Sequence, residues 1–143
     1  EVTETAIMVD LPRAIEVAKA IRSFGSNIAL DDFGTGFSSL SLLREFPANV
    51  LKIDSSFVAT MSVNAEDHSI VKSMVKLGHN LDRFVVAEGV EDLNALNSLK
   101  QFGCDFMQGF LLSKPMSCSD TIFWLDDYLL KSKEELGRLN NIN

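Results

Sequence analysis

The sequence is most quickly narrowed by what it has little of. Basic residues are outnumbered, 13 Lys and Arg against 20 Asp and Glu, giving a formal charge of −7. The early cations Arg13, Lys19 and Arg22 are scattered along one helical pattern. A general nucleic-acid surface needs a basic stripe, so that class of function is excluded. No apolar run reaches membrane-spanning length, and no secretory signal pattern opens the chain. There are only two cysteines, Cys104 and Cys118, and their spacing matches no metal or redox motif. Two reduced thiols in a cytoplasmic protein are the expectation. No repeat, linker or low-complexity segment is present. The opening "EVTETAIMVD" has neither an initial Met nor a leading loop, and reads as part of something longer.

What is present is one domain's worth of chain, 143 residues with 46% hydrophobic content, enough for a real core. Short apolar stretches rich in Val, Ile, Leu or Phe read as buried strands at 27–32 ("NIALDD"), 49–53 ("NVLKI"), 84–88 ("FVVAE") and 104–108 ("CDFMQ"). Longer segments between them carry helical spacing. "DLPRAIEVAKAIRSFG" has Asp10 as N-cap, Pro12 in the first turn and Gly25 as a stop, with a stripe of Leu11, Ile15, Val17, Ala18 and Ile21. "SSLSLLREFP" predicts a short helix ended before Pro47. "AEDHSIVKSMVKLGHNL" places Ile70, Val71, Met74, Val75 and Leu77 on one face. "EDLNALNSLKQFG" does the same with Leu93, Leu96 and Leu99, and Gly103 stops it. A last helix is expected over about 118–138, with a frayed tail at about 139–143. This βαβα order predicts an α/β fold with a parallel sheet covered by helices; a doubly wound sheet and a (β/α)8 barrel both fit.

The strand ends carry the chemistry. One ends in Asp31 and Asp32, the next carries Lys52 and Asp54, the next ends in Glu88 with Glu91 beyond, and the last ends in Gln108. Glu1 and Glu4 are expected at the end of a strand whose body lies upstream. In parallel α/β folds all strand C-termini share one face, which is where such folds place their sites. Carboxylates that crowd together must protonate or bind cations. Oxygen donors without His or Cys favour Mg²⁺, Mn²⁺ or Ca²⁺. An Asp–Asp step suits two ions and phosphoester cleavage, with a lysine to orient or deprotonate water. Any one of these residues taken alone has a plainer reading. A single Asp after a strand is a turn or cap residue, Lys52 a surface lysine, Gln108 a backbone partner. The coincidence across successive strands favours a site. Glu4 and Asp54 are taken as structural, Asp105 as capping or pointing outward, and His68 and His79 as solvated or packed. "GTGFSS" lacks the third glycine of a dinucleotide fingerprint, because Ser39 stands there. It reads instead as a mobile loop in which Gly34 and Gly36 permit unusual backbone angles.

Three stretches, "DDFGTGFSSLSLLREFPANVLKIDSSFV", "VVAEGVED" and "FGCDFMQGFLLSKP", together with the opening "EVTET", closely resemble the EAL domain, the bacterial cyclic di-GMP phosphodiesterase. The resemblance covers the chain up to its last helix. It implies a modified TIM barrel, of which this chain is roughly the last five β/α units. It also implies hydrolysis of cyclic di-GMP to linear pGpG with Mg²⁺ or Mn²⁺ in a two-metal site. By motif, Glu1 and Asp31 resemble ligands of one metal, and Asp31 a bridge to a second beside Asp32 and Glu88. Lys52 resembles the residue contacting the attacking water, Gln108 a polar neighbour of that water, and Glu91 the acid that holds the loop after the Asp pair. That loop, Phe33, Gly34, Thr35, Gly36, Phe37, Ser38 and Ser39, is implied in metal binding and dimer-linked regulation; Phe37 stands where Tyr is common. The naming Glu-Ala-Leu motif and a metal-binding Asn belong upstream of this sequence, so the chain alone is expected to be inactive or nearly so. Expected partners are cyclic di-GMP, a second copy in a homodimer, and an N-terminal sensory or diguanylate-cyclase (GGDEF) domain. No nucleic acid and no membrane within this segment are expected. The alternatives are a non-catalytic module of the same family that binds cyclic di-GMP or a protein, and a Schiff-base barrel enzyme using Lys52.

Overall fold

The computed structural model describes residues 1–36 and 40–140, with residues 130–140 described by their backbone alone. The chain runs β1 (Val2–Thr3), α1 (Glu4–Val9), α2 (Leu11–Ser23), β2 (Ala29–Phe33), α3 (Leu40–Glu45), β3 (Val50–Ile53) and α4 (Ser55–Thr60). It continues α5 (Ala65–Asn80), β4 (Phe84–Ala87), α6 (Leu93–Phe102), β5 (Phe106–Met107) and α7 (Cys118–Asn140). Two compact units result, Glu1–Ser113 with the whole sheet and Lys114–Asn143 with α7. In α7 the rings of Trp124 and Tyr128 stack 5.4 Å apart. The helix reaches Asn140, two residues past the expected end; residues 141–143 of the expected frayed tail lie outside the described residues.

The sheet answers which α/β architecture this is. Its order is β1-β2-β3-β4-β5, and every neighbouring pair is parallel. A doubly wound sheet reverses its strand order at a switch point. Here every crossover steps in the same direction, and crossovers of one hand then place all the helices on one face. That is the winding of a (β/α)8-type barrel, five strands of which are present. Leu30, Leu51, Ile53, Val85 and Ala87 are fully buried. They point to the helix side, against Ile7, Leu42 and Leu43 in one cluster and Val71, Val75 and Leu99 in the other. The alternate positions, Asp31 and Lys52 among them, face the opposite, concave side.

The helices start where local chemistry dictates. Asp10 accepts from Arg13 N at 3.0 Å and Pro12 stands in the first turn of α2. Asn64 caps α5 and Asp92 caps α6. Two six-residue helices, α1 and α4, were not expected; Thr3 and Asp54 are their N-caps. Asp54 is therefore structural, as expected. The apolar stripe of α2 is only partly buried. Ala18 is buried, but Val17 and Ile21 are exposed and line a cleft of about 410 Å³ between α1, α2 and Phe46. The reason is that this face of α2 opens onto the cleft beside Val2 in β1, the sheet's edge, and no described residue fills it. Leu93 is likewise exposed at the start of α6, where Ala95 takes the buried position. At the opposite end of the strands from Glu88, Asp105 accepts from Val85 N (2.8 Å) and pairs with His79 Nε2 (2.9 Å). His68 packs edge-on against Phe102.

Candidate active site

The concave face at the strand ends is organised around one buried ammonium. Lys52 lies in β3 and is 6% exposed, which removes the reading of it as a surface lysine. Its Nζ meets Glu1 Oε2 at 3.0 Å, Asp31 Oδ1 at 3.0 Å and Glu88 Oε1 at 2.9 Å. Four residues from four strand positions thus converge. Glu1 immediately precedes β1, Asp31 belongs to β2, and Glu88 directly follows β4. Parallel pairing sets this up: Thr3 is in register with Asp31, and Lys52 with Val86, two residues before Glu88. Burial by itself works against the Lys52 charge, but its hydrogen bonds to Glu88, Glu1 and Asp31 outweigh it and raise the pKa well above the ordinary lysine value. An amine held this firmly charged is in the wrong form to attack a carbonyl, so the Schiff-base alternative loses its nucleophile.

The remaining expected residues differ in placement. Asp32 is half-buried and adopts φ +55°, at a break in register between β2 and β3. Its N–H donates to Asp31 Oδ1 at 3.0 Å, and its carbonyl accepts from Thr35 N and Thr35 Oγ1. Gln108 joins the site through its backbone: its N–H donates to Ala87 O at 2.9 Å and its carbonyl accepts from Val90 N at 3.0 Å. Its side chain is exposed and makes no hydrogen bond among the described residues. Glu91 is exposed and, among the described residues, forms no ion pair. In the expected loop, Phe33 is the buried last residue of β2. Gly34 has φ +101°, and a Cβ there would stand 2.5 Å from Met74 Cε. Gly36 is not at positive φ, contrary to expectation. Phe37, Ser38 and Ser39 lie outside the described residues.

One residue of this region was passed over in the sequence. Glu4, taken as structural, is 4% exposed, and its Oε2 lies 3.2 Å from where a Cβ on Gly36 would stand. A buried carboxylate therefore underlies the loop after the Asp pair. The signal available for it was Thr3, whose Oγ1 caps Ala6 N at 3.3 Å and so turns Glu4 into a helix (first-turn) residue rather than a strand end.

The donor chemistry fits a hard divalent cation: carboxylate oxygens from separate strands already gather round one positive charge, without His or Cys. Among the described residues, however, no three such side chains form a ready-made metal cage. The ammonium of Lys52 is the cation that gathers them.

A parallel barrel-type sheet with an acid cluster and a buried lysine at its strand ends defines a class of α/β site. Comparison with known proteins places the chain within that class. Residues 1–115 match the EAL domain family model, and the chain belongs to the EAL domain family. It is similar to the cyclic di-GMP phosphodiesterase NbdA of Pseudomonas aeruginosa, with 35% identity over 140 residues, covering 98% of this chain and 18% of NbdA. Among solved structures it resembles the PaMucR phosphodiesterase in complex with c-di-GMP (TM-score 0.79, 39% identity, 84% of this chain and 49% of that one). It also resembles Klebsiella pneumoniae BlrP1 in a manganese/cy-diGMP complex (TM-score 0.73, 39% identity, 79% and 29%). The chain spans less than a fifth of the length of the curated relatives it matches and about half of the PaMucR chain.

Proposed function

We propose that the protein carrying this chain hydrolyses cyclic di-GMP to linear pGpG at the strand-end face, using Mg²⁺ or Mn²⁺. The observation that carries this reading is the convergence of Glu1, Asp31 and Glu88 on the buried Nζ of Lys52, on a fold whose relatives include named cyclic di-GMP phosphodiesterases. Glu1, Asp31, Asp32 and Glu88 would hold the metals, which when bound supply positive charge to the phosphodiester and a more acidic water. Lys52, kept charged, donates hydrogen bonds on this face and orients the attacking water instead of deprotonating it. Gln108 is fixed beside Glu88 by its backbone, within the same strand-end layer, as a polar neighbour of that water. Glu91 and the loop residues from Phe33 to Gly36 form the rim, with Glu4 beneath.

The 143 residues alone are inactive or nearly so on this reading, since they span only about half of the solved PaMucR chain. Self-association as a homodimer, control by a sensory or diguanylate-cyclase domain elsewhere in the protein, and a cytoplasmic location complete the proposal. MucR, which is named a bifunctional cyclase and phosphodiesterase, supports the second of these. No helix among the described residues is long and apolar enough to cross a membrane.

The test is turnover of cyclic di-GMP by the full-length protein with Mn²⁺, beside Asp31→Ala. The variant should lose activity by about 10²-fold or more. Unchanged turnover would sink the site assignment.

A further inference from the structure

The loops after β4 and β5 are joined by backbone hydrogen bonds, and the loop after β4 also closes tightly on the start of α4. Past the last paired strand residues, Gln108 N donates to Ala87 O (2.9 Å), Val90 N to Gln108 O (3.0 Å) and Leu111 N to Val90 O (3.1 Å). At the centre of this ladder is Gly109. A Cβ there would lie 2.2 Å from both the N and the O of Val90, and 2.6 Å from its carbonyl carbon. These are backbone atoms, which cannot swing aside as a side-chain tip can. On the other flank a Cβ on Gly89 would stand 2.6 Å from Ser55 Cβ, at the start of α4. Glu88 directly precedes the two residues that make these contacts, Gly89 and Val90, and has its own N–H on Ile53 O at 3.2 Å.

We propose that Gly109 and Gly89 are positioning residues for Glu88: their missing side chains let three strand-end loops interlock, and the interlock aims the Glu88 carboxylate at the centre of the acid cluster. The inference rests on the reading of Glu88 as a metal-holding carboxylate. Ordinary van der Waals contact begins near 3.4 Å. An alanine at position 109 must therefore push the Val90 backbone away by roughly 1 Å, and a site carboxylate is aimed only to within about 0.5 Å. Displacing a group that orients a ligand typically weakens metal affinity by about 10- to 100-fold.

The experiment is Mn²⁺ titration of the full-length protein, followed by electron paramagnetic resonance. Wild type, Gly109→Ala, Glu88→Gln and the double variant form a cycle. Gly103→Ala serves as the control: Gly103 caps α6 at φ +77° with nothing within 4 Å, so alanine strains the fold without touching the loops. Gly109→Ala should weaken Mn²⁺ binding about tenfold, with no further loss when Glu88→Gln is already present, and Gly103→Ala should bind as wild type. Wild-type affinity in Gly109→Ala, equal losses with and without Glu88, or the same loss in Gly103→Ala would each overturn the proposal. Failure of the reading beneath it looks different: wild type would bind no Mn²⁺, or Glu88→Gln would bind as wild type. Should Gly109→Ala not fold, amide exchange in the wild-type protein decides. Val90 and Leu111 should be protected as well as the β4 amides, and fast exchange at both would refute the interlock.

Discussion

Replacing Lys52 by methionine removes the one cation that three carboxylates share. Each pair, at 2.9 to 3.0 Å, has a gross Coulomb energy of about 5–6 kcal/mol at an effective dielectric near 20. The Glu1 side chain is 62% exposed, so its pair contributes little after screening. Asp31 and Glu88 are 20% and 19% exposed. Both touch the same nitrogen, so they stand within about 6 Å of each other and repel once it is gone. Removing one partner from a buried pair costs about 3–5 kcal/mol; the residual exposure of the carboxylates favours the lower end, about 3 kcal/mol. For a domain of this size that is a fall in Tm of about 10 °C. The assay is thermal unfolding followed by circular dichroism in EDTA at pH 7, repeated with Mn²⁺. A divalent ion can supply the missing positive charge, so Mn²⁺ should raise the Tm of the variant more than that of the wild type. In the wild type the raised Lys52 pKa makes its contribution complete below the ordinary value of 10.5, and that contribution is lost only as the pH rises through the higher folded value. A variant as stable as wild type in EDTA at pH 7 would refute the view that the cluster is held by this charge.

Other perturbations test the frame around the site. Arg83→Met removes a buried guanidinium whose Nη2 donates to Leu43 O and Phe46 O at the end of α3, and whose Nη1 has no hydrogen-bond partner among the described residues. Stranding the two carbonyls outweighs relieving the orphan, so urea unfolding should show a loss of about 1–2 kcal/mol. For Asp105, burial works against the charge, but hydrogen bonds from Val85 N and His79 outweigh it and hold the carboxyl below its ordinary 3.8. Its contribution is therefore present above that value and lost as pH falls through the lower folded one, and Asp105→Asn should flatten this part of the acid limb in a pH series of unfolding free energies. Burial pushes the Cys104 thiol up to about 11, while Cys118 is exposed. Thiol titration at pH 8 should accordingly find Cys118 alone in the native protein and both cysteines in denaturant.

How far these features were legible in the sequence depended on whether the signal was local. The interiors of β2, β3 and β4 were plain as short β-branched or leucine runs, and α2 was marked at both ends by Asp10, Pro12 and Gly25. The helices α1 and α4 were missed because their only markers, Thr3 and Asp54, serve equally well in turns, whereas the equally short α3 was marked by the Pro47 that follows it. Val17 and Ile21 were misplaced for a different reason. Periodicity shows which face of a helix is apolar but not how much of that face finds a partner, and on α2 Ala18 is buried while Val17 and Ile21 line the open cleft. In the site, its place near a strand end grouped Lys52 with the acids. Its burial was not legible, since a lysine is buried only where carboxylates from other strands neutralise it, and that is a property of the sheet.

The Asp31–Asp32 step shows the same limit most sharply. On a regular strand two adjacent side chains point to opposite faces, so two neighbouring acids could not both serve one site. The pairing of β2 with β3 is regular through Leu30 and Leu51, shifts, and resumes with Phe33 opposite Ile53, so the partner strand has one residue fewer across the step. Asp32 takes up the difference by entering the left-handed region at φ +55°. An aspartate tolerates that conformation better than most residues, because its short polar side chain bonds locally. The turn closes with Thr35 N and Oγ1 on the Asp32 carbonyl. A bulge at a barrel rim re-aims a side chain and ends the pairing in one move. The second acid of the pair is thus released from strand alternation at the same point where the chain leaves the sheet for the loop above Glu4.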